Sequence, residues 1–387
     1  MAGSARRTAS PFVRRSGARW GSGEARRLGE AHHDHRPLSP LSPSFPADQA
    51  TFIRLPPLAA RMASGPVASL KGKSVTTATQ FERSDIDALL ALATELRRAV
   101  DAGEVLEPLK GRVMATLFFE ESSRTYSSFA TAMMRLGGSV VNLPVERSSV
   151  KKGETLADTI CTVDSYSDVV VMRHPQQEAL SEALRVATHP IMNAGNGAGE
   201  HPTQALLDTL TMHSELGGVD GLTIAMVGDL KMGRTVHSLL KLLVRNFAIR
   251  AVYLVSPESL RMPPEVLESV EAELQAAGTV LVEAPALTRD IVSRCDVLYA
   301  TRLQKERFVS ASSEDSAALA AFAQAVKDLT INQEVMSWAK ERMIVMHPLP
   351  RNEELCTSVD ADPRAAYLRQ MRYGLFMRMA ILWSVLA

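Results

Sequence analysis

Short apolar bursts alternate with amphipathic stretches twice along this chain, and that alternation restricts the fold more than any other feature. Phe81–Val100 reads as a helix with Leu89, Leu90, Leu92 and Leu96 on one side. Arg112–Phe119 (RVMATLFF) reads as a buried strand, and Ser123–Leu136 as a helix ended by Gly137-Gly138. Asp168–Met172 and Pro190–Asn193 are two further strands, and His201-Pro202-Thr203 opens a helix running to about Leu216. A second series begins at Leu222 with LTIAMVGD. It continues through a helix over Arg234–Val244, a strand from Arg250 and a helix over Pro263–Ala277. Strands at Val280–Glu283, Asp296–Thr301 and Met343–His347 complete it. Strands alternating with helices predict an α/β fold with mostly parallel sheets flanked by helices. A length of 387 residues suits two such domains. We place them at 70–205 and 206–360, with a long amphipathic helix (Pro363–Leu386) in segment 361–387 returning to the first.

Residues 1–65 differ in kind: rich in Arg, Ser, Pro and Ala, poor in acids and without Lys. Pro-Leu-Ser-Pro-Leu-Ser-Pro at 37–43 suits neither helix nor central strand, and the segment is expected to be disordered. An organelle transit peptide, a linker from a larger chain, and translation starting at Met62 all fit it. His32, His33, Asp34 and His35 lie there without a scaffold to set ligand geometry, so no metal is expected. Lys plus Arg and Asp plus Glu both number 43, so the net charge is zero and gives no argument for nucleic acid or an anionic membrane. Cys161, Cys295 and Cys356 are too sparse for a disulfide framework or a CxxC metal site. No run of 18 apolar residues occurs.

In open parallel sheets, ligands sit beyond the carboxyl ends of the strands. The first strand runs into Glu120-Glu121-Ser122-Ser123-Arg124-Thr125, where hydroxyls, backbone N–H groups and a guanidinium open a helix. That is an anion site or an ordinary Ser-capped helix. The other strand ends favour the first reading. They carry Arg173-His174, then Asn193-Ala194-Gly195-Asn196-Gly197-Ala198-Gly199-Glu200-His201, then Gly228 to Arg234, then Arg302 to Arg307, then His347 to Arg351. Cations gathered at one rim repel unless an anion neutralises them, so the inferred ligand is polyanionic. Neither glycine cluster fits GxGxxG, and no Walker lysine occurs. Met133-Met134 and Met377/Met379 read as core filling. Arg135, Arg307 and Arg351 fit structural ion pairs as well as a site, and Glu120 and Glu121 read as salt-bridge partners that orient arginines.

The motifs SSRTYSSFATAMMRLGG, SSVKKGETLADTI, VVVMRHP, NAGNGAGEHPTQALLD, MVGDLKMGRTVHSL, TRLQKERF, MHPLPR and DADPRAAYLRQ…GLFMRMAIL together resemble the aspartate carbamoyltransferases over about residues 70–387. The resemblance implies transfer of a carbamoyl group from carbamoyl phosphate to L-aspartate, an early step of de novo pyrimidine (UMP) biosynthesis, with no cofactor and no metal. It implies that 70–205 binds carbamoyl phosphate and 206–360 binds aspartate. By motif, Ser122, Ser123, Arg124 and Thr125 hold the phosphate. Arg173, His201 and Thr125 face the carbonyl oxygen, Gln204 holds the carbamoyl end, and the carbonyls of Leu349 and Pro350 accept from its NH2. Arg124, Thr125, Arg173 and His201 form the catalytic set. Lys152, Arg234, Arg302 and Gln304 hold aspartate. Ser148 and Lys152 are implied to reach a neighbouring subunit's site, in a homotrimer, and association with other pyrimidine-pathway enzymes is a further expected partnership. Ser123 stands where the family usually has Thr, and Tyr126 where many members have Arg. Ornithine carbamoyltransferase is the nearest rival; Pro348 in place of its Cys, and the cation Arg302, favour aspartate. A non-catalytic scaffold subunit is the other rival, against which the full set of site cations stands. Several stretches most resemble the transcarbamoylase domain of eukaryotic multifunctional pyrimidine enzymes, which favours the cytosol, with a plastid or mitochondrion as the alternative.

Overall fold

The computed structural model describes residues 65–145, 148–303, 305 and 316–387, all of which belong to one compact unit. The first half runs α1 (Arg83–Asp101), β1 (Val113–Phe118), α2 (Ser123–Arg135), β2 (Ser139–Leu143), α3 (Leu156–Asp164), β3 (Val169–His174), α4 (Glu178–Val186), β4 (Ile191–Asn196) and α5 (Pro202–Leu216). The second runs β5 (Thr223–Val227), α6 (Arg234–Asn246), β6 (Ala251–Val255), α7 (Pro264–Glu268), α8 (Glu271–Ala277) and β7 (Val280–Ala284). It ends with α9 (Arg289–Arg294), β8 (Val297–Ala300), α10 (Ser316–Leu329), α11 (Gln333–Trp338), β9 (Ile344–Met346) and α12 (Tyr367–Leu386).

The strands form a sheet of four in the order β2-β1-β3-β4 and a sheet of five in the order β7-β6-β5-β8-β9. Every pairing between them is parallel. This is the α/β architecture expected, because β1, β3, β5 and β8 are buried apolar runs that need helices on both faces. The order reverses at β1 in the first sheet and at β5 in the second. Crevices open at such reversals, and most of the site residues expected from the sequence cluster beyond the carboxyl ends of these strands.

The structure adds helices α3, α4, α9, α10 and α11, which the sequence reading does not contain, and departs from it in three further places. Strand β2 has no counterpart there: as an edge strand its side chains stay exposed or half-buried, so SVVNL lacks an apolar signature. The helix expected over Pro263–Ala277 is two short helices. Ser269 Oγ donates to the Val266 carbonyl (2.7 Å), and Val270 leaves helical geometry with φ −126°. The last helix starts at Tyr367 rather than Pro363, because the Arg364 carbonyl and the Ala366 N–H bond to Val345 of β9 (both 2.9 Å). It is amphipathic only at its beginning. From Phe376 to Leu386 every residue is buried, since α12 packs against α1, α2 and α5 together.

Two glycines let chain segments meet where the site forms. A side chain at Gly228 (φ +120°) would place Cβ 2.5 Å from the Thr301 carbonyl oxygen, joining the ends of β5 and β8. At Gly195 (φ +114°), Cβ would lie 3.0 Å from Arg234 Cζ, so the end of β4 leaves room for an arginine from the other half of the chain.

Candidate functional site

Beyond these strand ends lies a cavity of about 850 Å³. Ser122, Ser123, Arg124, Thr125, Arg173, His201, Gln204, Arg234, Arg302, Leu349 and Pro350, named from the sequence, all line it. The thirteen-residue helix α2 opens at Ser122, with its first N–H groups at the mouth of the cavity and no side-chain cap. That end carries partial positive charge. Arg124 follows, its pKa lowered by burial and by the nearby Arg302.

Arg173, at the end of β3, is the most constrained cation. Its Nε donates to Glu120 (3.1 Å) and its Nη1 to Ser122 Oγ (3.2 Å). Burial, together with Arg234, pulls its pKa down to about 10, although Glu120 opposes the shift. Arg234, the first residue of α6, donates through Nη1 to the same Glu120 oxygen (3.3 Å) and to the Gly197 carbonyl (2.7 Å). One carboxylate on the first sheet therefore binds an arginine from each half of the molecule. The sequence reading of Glu120 as an orienting acid agrees with this contact.

His201 caps α5 and is 3% exposed. Its backbone N–H donates to Ser238 Oγ (2.9 Å), while Nδ1 is buried without a partner among the described residues. Burial, reinforced by Arg234, Arg378 and Arg173, holds its pKa well below 6.5, so the imidazole is neutral at physiological pH. The unfolded chain therefore takes up a proton near pH 6.5 that the folded chain refuses, and stability falls as pH drops through that value. Denaturant titrations at pH 7.5 and 5.5 are expected to show a smaller acid loss for His201→Gln than for the parent. An equal loss in both would refute the neutral, desolvated imidazole.

At the far wall, Leu349 is the non-glycine residue among those described with positive φ (57°), and the Leu349–Pro350 peptide is cis. The turn is held by His347, whose Nδ1 accepts from the Leu349 N–H (2.8 Å). That leaves Nε2 to carry the proton to Glu354 (3.0 Å). Glu354 also accepts from the Leu303 N–H (3.1 Å), tying the Arg302 segment to the same turn.

Other sequence-derived residues lie elsewhere. Ser148 donates to the Val145 carbonyl (2.8 Å) and accepts from the Val150 N–H, closing its own turn. Lys152 is exposed, and neither residue lines this cavity. Gln304 and Arg307 lie outside the described residues. His174, counted among the rim cations, instead packs on the Phe119 ring (4.7 Å between centroids) and lies outside the cavity. Arg351 pairs with Asp360 (2.7 Å from Nη2 to Oδ2), a structural role. Conversely, Asp208, Gln370 and Arg378 were not anticipated. Gln370 and Arg378 line the cavity from α12, where an apolar run masks them. Asp208 stands four residues after Gln204, a helical spacing that places them on one face.

Two parallel α/β layers that converge a helix N-terminus and several arginines on one cavity define an α/β protein with a built anion site. The chain belongs to the aspartate/ornithine carbamoyltransferase family. The family's carbamoyl-phosphate-binding domain matches residues 73–214 and its Asp/Orn-binding domain residues 220–385. Aspartate transcarbamoylase from Trypanosoma cruzi, solved with N-(phosphonacetyl)-L-aspartic acid, is 67% identical. The match covers 83% of this chain and 98% of that one, with a TM-score of 0.80. The same enzyme solved with carbamoyl phosphate and aspartate matches at 66% identity over 83% of this chain and 98% of that chain, with a TM-score of 0.79. Multifunctional protein pyr-3 of Neurospora crassa is 46% identical over 82% of this chain, which spans only 17% of that protein's length. Multifunctional protein URA2 of Saccharomyces cerevisiae is 48% identical over 82% of this chain, which spans 14% of it.

Proposed function

We propose that this chain transfers the carbamoyl group of carbamoyl phosphate to the amino group of L-aspartate, releasing phosphate and N-carbamoyl-L-aspartate. The observation that carries this reading is the convergence of Arg124, Arg173, Arg234 and Arg302, from both sheets, on one cavity beside a neutral buried histidine. A phosphate and two carboxylates need that many cations. The likeness to transcarbamoylase structures holding these substrates supports the same reading.

The chemistry follows from the geometry. The neutral aspartate amine attacks the carbonyl carbon, the C–N bond forms and negative charge grows on the carbonyl oxygen. Arg173, Thr125 and His201 are the donors for that charge, pre-oriented so that little reorganisation is needed. The C–O bond to phosphate then breaks, and its electrons leave with the phosphate, which Ser122, Ser123, Arg124 and the α2 N-terminus receive. The departing phosphate accepts the amine proton. No covalent nucleophile is required, and side-by-side placement of two anions supplies much of the rate. Held well below its ordinary pKa by burial and the surrounding arginines, His201 is a weak base but can still donate one N–H, so its role is electrophilic rather than that of a general base.

We extend the proposal to a homotrimer. Ser148 and Lys152 do not line their own cavity and Lys152 is exposed, which supports a reading in which they reach a neighbour's. A fully active monomer by light scattering would sink the shared site. We also propose association with other enzymes of the same pathway, on the likeness to multifunctional proteins.

The decisive assay offers residues 62–387 carbamoyl phosphate with aspartate or with ornithine. Product from aspartate is expected, and Arg302→Ala should raise the aspartate KM by roughly 100-fold, as loss of a charged hydrogen bond within a desolvated site implies. Turnover of ornithine instead would refute the substrate, and no turnover of either would favour the scaffold reading.

A further inference from the structure

Behind the cavity wall lies a buried carboxylate that the reaction does not use directly. Asp208 on α5 is fully buried and has no salt-bridge partner among the described residues. Three donors converge on it: Gln204 Nε2 (2.9 Å) and Gln370 Nε2 (2.6 Å) on Oδ1, and Tyr299 Oη (2.7 Å) on Oδ2. Burial pushes its pKa up to about 7, against the pull of those hydrogen bonds and of Arg378. The arrangement survives either charge state, because a proton on Oδ2 can point at the Tyr299 oxygen while Oδ1 goes on accepting.

The consequence lies in the amides. A primary amide meets an acceptor with its nitrogen, so Asp208 dictates which way each glutamine faces. Gln204 lines the cavity and turns its Nε2 away to Asp208, leaving Oε1 as the acceptor on the cavity side. Gln370, turned the same way, uses Oε1 to accept from the His347 N–H (2.9 Å). That bond anchors the turn carrying the Leu349 and Pro350 carbonyls. We propose that Asp208 is a positioning residue for donor specificity. By setting both amides it fixes the acceptors, Gln204 Oε1 and the Leu349 and Pro350 carbonyls, that select an acyl phosphate bearing NH2 on its carbonyl carbon over one bearing CH3. This rests on the carbamoyl-transfer reading above. A methyl group there leaves buried acceptors unpaired, which is how polar sites reject near-isosteres.

The test compares carbamoyl phosphate with acetyl phosphate as ligands and acyl donors, in the full chain, for the parent, Asp208→Leu, Asp208→Asn and Gln370→Met. Asp208→Leu is expected to lower the preference for carbamoyl phosphate about tenfold or more, with acetyl phosphate affinity held within about twofold. Asp208→Asn, whose Oδ1 still accepts while Nδ2 faces Tyr299, should keep the preference within about threefold. Gln370→Met cuts only the arm to His347 and should lose part of the preference; it decides the matter if Asp208→Leu does not fold. Equal weakening of both ligands, or an unchanged preference in Asp208→Leu or Gln370→Met, overturns the proposal while leaving carbamoyl transfer intact. A parent that makes no carbamoylated product and does not distinguish the two ligands overturns the functional reading and this one with it.

Discussion

Arg173→Ala is expected to lower kcat by roughly 10²–10³-fold, the usual cost of removing a preorganised donor from a developing oxyanion, in a variant that still melts cooperatively. Three observations set the size of the effect. The guanidinium is largely buried, with 15% of its side chain exposed. It is oriented by Glu120 and Ser122 on separate nitrogens. Burial strips it of water and Arg234 presses on it, both of which lower its pKa, so its field on a bound carbonyl is little screened. Arg173→Lys should recover little, because an ammonium cannot hold Glu120 and a ligand oxygen in one planar fork. Steady-state kinetics beside thermal melts check this; a loss below about fivefold would remove Arg173 from the catalytic set.

Glu120→Gln is expected to cost about 2–4 kcal/mol in the transition state, or roughly 10²-fold in kcat, because it strands charges that were desolvated as a group. Glu120 sits between Arg173 at 3.1 Å and Arg234 at 3.3 Å, whose side chains are each 15% exposed. The variant keeps the shape and deletes the negative charge, so the arginines lose their common partner and repel one another. The same change leaves the cavity more positive. Inhibition by inorganic phosphate is therefore expected to hold or strengthen while kcat falls. Weaker phosphate inhibition together with lower kcat would mean that Glu120 merely supports the fold.

The particulars of the fold show what could be read in advance. Strands β1, β3, β5 and β8 announced themselves because a central parallel strand must be apolar on both faces. Strand β2 was silent because an edge strand is under no such demand. The single helix read over Pro263–Ala277 failed at Ser269, where a local side-chain hydrogen bond competes with the backbone. The amphipathic reading of α12 failed in its second half, because three helices surround it and no face remains for water.

The site divides in the same way. Residues following a strand in the chain, such as Ser122–Thr125, Arg173, Arg234 and Arg302, were legible because parallel topology carries every strand's carboxyl end to one side. That much the order of residues determined alone: an α/β chain with anion-binding groups at its strand ends. Only the tertiary structure decided which of those groups share a cavity, that Glu120 bridges arginines from the two halves, and that His174 turns away from it. It also brought Gln370 and Arg378, from a helix more than 150 residues further on, to the wall beside Gln204. Local sequence carries the periodicity that backbone hydrogen bonds impose, whereas burial, charge pairing and amide orientation depend on neighbours distant in the chain, which only packing supplies.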